Sequence, residues 1–198
     1  SIDINSDGSV IIIGAPDNNG YDGQIKVYSR TNNTWSLREE ITPSSSTGEK
    51  FGYKVAINSN GNTIAVSSPM YNSVDGKITI YEWNSSNYIS NGDILGSTSE
   101  QLGEDISLNS TGDVIAVGSP YPNSNAGIIK VYELSVSTWS LKGQNLTGNL
   151  GDYLGEAISL SDNGNKLIAG VSNYSSSRGK VYIYDWDSDL KQWSSTTI

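Results

Sequence analysis

Apolar and polar residues alternate in short bursts along this chain, and the bursts return in the same order four times. In the second unit Val55-Ala56-Ile57-Asn58 alternates with the period of a strand that buries one face. Ser59-Asn60-Gly61-Asn62 then predicts a tight turn, because Asn and Gly tolerate the positive φ of a two-residue hairpin. Thr63 to Val66, dense in β-branched and small residues, predicts a second strand, and Pro69 ends it because proline cannot donate to a ladder. A polar loop of about six residues leads to Gly76, after which Lys77-Ile78-Thr79-Ile80-Tyr81 alternates as a third strand. A fourth, weaker strand surrounds Tyr88, matched in the other units by Trp35, Trp139 and Trp193. Apolar residues nowhere recur at three-and-four spacing over a useful length, so the chain is predicted to be all-β.

The repeat is measurable. Turn glycines Gly8, Gly61, Gly112 and Gly164 lie 53, 51 and 52 residues apart. Eight residues after each come Pro16, Pro69, Pro120 and, breaking the pattern, Ser172. Further on come Gly23, Gly76, Gly127 and Gly179, then Tyr28, Tyr81, Tyr132 and Tyr184. A period near 50 residues points to a propeller, solenoid or array. Four antiparallel strands per unit, repeated radially, make a β-propeller blade. A β-solenoid fits less well, since its coils are shorter and lack hairpins within each unit. The expectation is one β-propeller domain over residues 1–198, with blades at about 1–45, 46–97, 98–149 and 150–198. A four-bladed ring closed without a covalent joint is the simplest reading. A fragment of a longer ring, or two chains pooling eight blades, are the alternatives, so the chain is expected as monomer or homodimer.

Composition narrows the chemistry. The net charge of −9, with no Lys/Arg cluster, argues against nucleic acid. The longest apolar run, Val10 to Ala15, is too short to span a bilayer. The chain begins at Ser1 rather than Met, which hints that a leader or a longer parent was removed. With no Cys and no His, thiolate and imidazole metal sites and the common nucleophile–base pairs are gone. Sequons stand at Asn32, Asn84, Asn109, Asn145 and Asn173, a number that an Asn- and Ser-rich chain reaches by chance.

The strings Phe51-Gly52-x-x-Val55-Ala56-Ile57-Asn58-Ser59-Asn60-Gly61, Val117-Gly118-Ser119-Pro120 and Gly14-Ala15-Pro16, with the Gly-x-hydrophobic-x-hydrophobic-Tyr segments, carry a family resemblance. Together the chain resembles the FG-GAP repeat, in the branch common in secreted or surface proteins of marine microbes and algae. The resemblance covers all four units. It implies a propeller blade, a secreted or cell-surface setting, and recognition or adhesion. The integrin-like branch carries a calcium loop between the first two strands. Here Asp3-Ile4-Asn5-Ser6-Asp7-Gly8 begins that pattern, but Ile11 stands where the closing carboxylate belongs. Calcium takes six to eight oxygens with several carboxylates, so these loops read as hairpin turns, and neither metal nor cofactor is expected.

Two groups of residues are candidates for a site on the loop face of such a propeller. Glu49, Glu100 and Asp152 precede the Phe-Gly or Leu-Gly pairs, and Glu104 and Glu156 follow them, with Asp105 adjacent. Repeated radially, these acids would ring a channel mouth and attract a cation or a basic segment; alternatively, each ties its own turn. Tyr21, Tyr71, Tyr121 and Tyr174 fall in the loops between second and third strands, among Asn and Ser, where an exposed ring could stack on a sugar or anchor a protein. The third-strand tyrosines and the tryptophans Trp35, Trp83, Trp139, Trp186 and Trp193 are expected to pack between blades. The leading expectation is a non-catalytic extracellular module binding a glycan or protein. A structural repeat unit of a larger surface or virion assembly is the alternative, and a carboxylate-dependent glycoside hydrolase is a distant one.

Overall fold

The computed structural model describes residues 1–43, 47–173 and 179–197. Every regular element of length is a strand, and the strands form four antiparallel sheets in simple up-and-down order. The first contains β1 (Ile2–Ile4), β2 (Val10–Gly14), β3 (Ile25–Thr31) and β4 (Thr34–Ile41). The second contains β5 (Val55–Ile57), β6 (Thr63–Ser68), β7 (Lys77–Trp83) and β8 (Tyr88–Leu95). The third contains β9 (Asp105–Leu108), β10 (Val114–Ser119), β11 (Ile128–Ser135) and β12 (Thr138–Leu141), and a short β13 (Leu146–Thr147) also pairs with β11. The fourth contains β14 (Ala157–Leu160), β15 (Lys166–Val171), β16 (Lys180–Asp187) and β17 (Gln192–Thr197). Four repeated four-stranded meanders are the sheets of a propeller-like, all-β fold.

The chain divides into two compact units, Ser1–Gly103 and Glu104–Ile198. Each holds two sheets packed face to face, and the period-2 alternation of β-strands decides which residues meet. In the first unit Val10 and Ile12 of β2, with Ile25 and Val27 of β3, pack against Val55, Ile57, Ile64 and Val66 of the second sheet. In the second unit the same positions of β10 and β11, Val114, Ala116, Ile129 and Val131, pack against Leu160, Leu167 and Ala169 of the fourth sheet. The inner strands are also tied edge to edge. An Asp3 carboxylate oxygen accepts the Ile57 amide at 2.9 Å, and Asp105 accepts the Ile158 amide at 2.9 Å. Asp105, expected beside the channel acids, is therefore a latch between sheets.

The turns between first and second strands are longer than two-residue hairpins. Asn58 Oδ1 accepts the amides of Asn62 and Thr63, and Asn5 and Asn109 hold their own turns in the same way. The side chain replaces missing ladder bonds, so a five-residue turn closes without a hairpin register. Asn109 is 3% exposed, which removes that sequon from the surface of the folded chain. The second strand runs on to Ser68 and the third to Trp83, each two residues beyond expectation.

Aromatic packing follows the expected register at Tyr81, Trp83, Tyr184, Trp186 and Trp193. Tyr81 and Tyr184 pack onto the two cores, and Trp83 lies 5.1 Å from Tyr88, as Trp186 lies 5.4 Å from Trp193. A cation covers each pair: the Arg38 guanidinium sits 3.9 Å over Trp83, and Lys142 Nζ sits 5.2 Å from Trp186. Arg38 and Lys142 occupy the same repeat position, a regularity that the alternation pattern does not display. The Tyr88 hydroxyl donates to the Gly61 carbonyl at 2.6 Å, and burial pushes its pKa up to about 12. Trp35 departs from it at 40% exposed. It lies on the face of the first sheet that no other sheet of its unit covers.

Candidate functional site

The acids expected at a channel mouth divide by role. Glu49, Glu100 and Asp152 are buried. Glu100 Oε2 accepts the Ser97 amide at 2.7 Å, and Asp152 Oδ2 accepts both the backbone amide and the side-chain amide of Asn149. Each carboxylate closes the turn that leads into an inner strand, leaving little of it for a ligand. Glu49 is 1% exposed and relies on Lys77 Nζ at 3.6 Å. Burial pushes its carboxyl above the usual range, opposed by Lys77 and reinforced by the charges of Asp22 and Asp93.

That shift has a testable sign. A carboxyl whose folded pKa exceeds its unfolded value stabilises the fold below the unfolded pKa and loses that contribution as pH rises through the folded one. The window therefore opens at the ordinary glutamate value of 4.5 and extends upward. Relative to the parent, Glu49→Gln is expected to gain thermal stability as the pH is raised from 4 to 7. Melting curves of both proteins across that range check it, and a difference that stays constant with pH would refute it.

The loop tyrosines do not form one shared platform. Tyr21, Tyr71 and Tyr121 each sit on or beside a short turn whose central residues take left-handed φ, among them Asn19, Asn72 and Asn123. Tyr21 is exposed, with Lys50 Nζ 5.5 Å from its ring, whereas Tyr71 is half-buried beneath Lys77 Nζ at 4.2 Å. Tyr121, 42% exposed, meets Tyr153 edge-on at 6.3 Å. Tyr174 lies outside the described residues.

Tyr121 is where the two groups meet. Its hydroxyl pKa is raised by burial first and then by the charges of Glu104, Glu156 and Tyr153. The charges of two carboxylates from successive sheets of the second unit thus act on one phenol, and both acids follow the glycine that opens an inner strand. Glu104 is buried, while Glu156 is exposed and accepts the Ser172 hydroxyl at 3.0 Å. Asn125 Nδ2 donates to the Tyr153 hydroxyl at 3.0 Å and fixes the second ring. Tyr153 was not among the sequence candidates; its place two residues before Gly155 repeats as Lys50 and Gln101, which hides its aromatic character from the repeat. Among the described residues no group of three or more acids is arranged to hold a metal ion, and no helix is long and apolar enough to cross a membrane.

This propeller-like class has solved counterparts. The chain is similar to a candidate 6-phosphogluconolactonase from Bacteroides fragilis, with a TM-score of 0.68 at 14% identity, covering 100% of this chain and 54% of that one. It is also similar to a Lactobacillus plantarum protein, with a TM-score of 0.63 at 13% identity, covering 98% of this chain and 52% of that one. The chain spans about half the length of these two structures. Neither a family model nor a curated protein matches the sequence. At such identity the likeness establishes the fold. It corrects the expectation of a non-catalytic adhesion module, and with it the structural repeat unit: a counterpart matching the chain end to end is described as a candidate enzyme.

Proposed function

We propose that Glu104, Glu156 and Tyr121 form a carboxylate-dependent hydrolytic site acting on an uncharged sugar lactone. The observation that carries this reading is that Glu104 and Glu156, each at the start of an inner strand of the second unit, both act by their charge on the Tyr121 hydroxyl. Burial first and then their charges raise the Tyr121 hydroxyl above the usual phenol value, so it keeps its proton and serves as a hydrogen-bond donor to a carbonyl oxygen. Glu156, the exposed member, takes a proton from water; the hydroxide oxygen bonds to the lactone carbonyl carbon, and a tetrahedral oxyanion forms against Tyr121. The ring carbon–oxygen bond then breaks, the proton on Glu156 passes to the departing ring oxygen, and an open hydroxy acid leaves. The B. fragilis counterpart's name specifies a phosphorylated lactone. Here the acids that face Tyr121 repel a phosphate, which favours the neutral sugar.

Glucono-1,5-lactone followed in a pH-stat tests the proposal, because ring opening releases a proton. Acid release above the spontaneous rate is expected, falling about 100-fold in Glu156→Gln, as for loss of a general base. Tyr121→Phe should also slow the reaction without altering the melting temperature, since the residue is 42% exposed. A rate equal to the spontaneous one, or one unchanged in Glu156→Gln, would overturn the reading.

A further inference from the structure

Each described sheet but the last is locked by a hydrophobic–glycine segment that leads into the next. Phe51 forms a parallel bridge with Gly23, Leu102 with Gly76, and Leu154 with Gly127. The amides of Phe51, Leu102 and Leu154 donate to the carbonyls of Asp22, Asp75 and Ala126, each at 3.1 Å. Backbones touch at these places. A Cβ on Gly23 would lie 2.1 Å from the Phe51 carbonyl oxygen, and one on Gly127 2.2 Å from that of Leu154. At the second contact, a Cβ on Gly14 or Gly118 would lie 2.0 Å from the carbonyl oxygen of Gly52 or Gly155. An acid stands two residues before each plug: Glu49, Glu100 and Asp152.

The fourth sheet carries the same socket, unfilled by any described residue. Gly170 repeats Gly14 and Gly118, and Gly179 repeats Gly23, Gly76 and Gly127. Among the described residues, a Cβ on Gly170 would find only the Ala157 Cβ at 3.8 Å, and one on Gly179 only the Val171 oxygen at 3.6 Å. In place of a plug there is a cleft of about 500 Å³ lined by Gly170, Val171, Gly179 and Val181, with Glu156 and Lys180 at its edge. Beside it an apolar recess runs over Ile158 and Ile168, and Ile168 is 48% exposed where its counterpart Ile12 is fully buried.

We infer that this cleft is a docking site for an extended acid–x–Phe/Leu–Gly segment that leads a further sheet of the same repeat, carried by polypeptide outside these 198 residues. Three filled sockets define the chemistry of the occupant. Within this chain the three plugs are already seated in their own units, so a second copy has none to offer without giving one up. The matched structures, about twice as long as this chain, carry additional polypeptide of the length required.

The test is fluorescence anisotropy of a labelled peptide with the sequence of residues 97–108, which contains Glu100, Leu102 and Gly103. Saturable one-to-one binding to the 198-residue protein is expected, weakened at least tenfold by Leu102→Asp in the peptide. Gly170→Val in the protein should weaken it equally while leaving the circular dichroism and melting temperature intact, because the nearest described atom to a Cβ there is the Ala157 Cβ, at the ordinary contact distance of 3.8 Å. Light scattering runs alongside. No binding at millimolar peptide, binding indifferent to Gly170→Val, or a dimer that Gly170→Val dissociates would each overturn the inference, the last by making a second copy the occupant.

Discussion

Gly118→Ala is expected to unfold much of the second unit, at a cost of about 4 kcal/mol or more, the range reserved for backbone clashes and buried defects. The new Cβ would lie 2.0 Å from the Gly155 carbonyl oxygen and 2.8 Å from its carbon. Neither atom belongs to a flexible side chain, so the only relief is to part the third and fourth sheets. Parting them exposes the shared core of Val114, Ala116, Leu167 and Ala169. Gly14→Ala should behave alike in the first unit, against Gly52. Gly170→Ala, at the same repeat position, should be nearly neutral. Urea denaturation of the three variants makes the comparison, and equal losses at all three sites would show that close sheet contact is not the cause.

Phe51→Ala should cost about 3–5 kcal/mol, the usual range for emptying a buried aromatic site. Phe51 is almost fully buried, sits edge-on to Tyr81 with ring centroids 6.4 Å apart, and belongs to the core of the first unit. Its backbone also locks the first sheet through the Gly23 bridge. Phe51→Leu is the discriminating variant. Leu102 and Leu154 fill the corresponding sockets, so leucine should be accepted at a cost below about 1.5 kcal/mol, as for other shape-tolerant hydrophobic swaps. Denaturation midpoints measure both, and a leucine variant as damaged as the alanine one would refute the equivalence of the plugs.

The strands were legible because their alternation is a direct image of burial. Val55, Ile57, Ile64 and Val66 show period 2 in sequence and meet in one core. The repeat spacing located the turn glycines for the same reason: one backbone shape recurs without insertion. What stayed hidden was chemistry expressed through the backbone. Gly23 and Gly127 read as loop punctuation, yet they exist to let Phe51 and Leu154 approach. The latch acids Asp3 and Asp105 look like ordinary polar positions of an inner strand. The candidate site was half visible. Glu104, Glu156 and Tyr121 were all singled out, but as members of two separate groups, a ring of acids and a set of loop tyrosines, because radial repetition suggested equivalence. Their electrostatic coupling arises from a local exception: Glu104 and Glu156 follow Gly103 and Gly155, whereas Tyr53 follows Gly52.

The spacing of socket and plug bears on how the chain acquires its structure. Gly23 waits 28 residues for Phe51, Gly76 waits 26 for Leu102, and Gly127 waits 27 for Leu154. Loops of such length close at modest entropic cost. During synthesis from the amino end, each meander can therefore be sealed as soon as the opening residues of its successor emerge. Assembly proceeds as a ratchet with a step of one sheet, and no early strand has to await a distant partner.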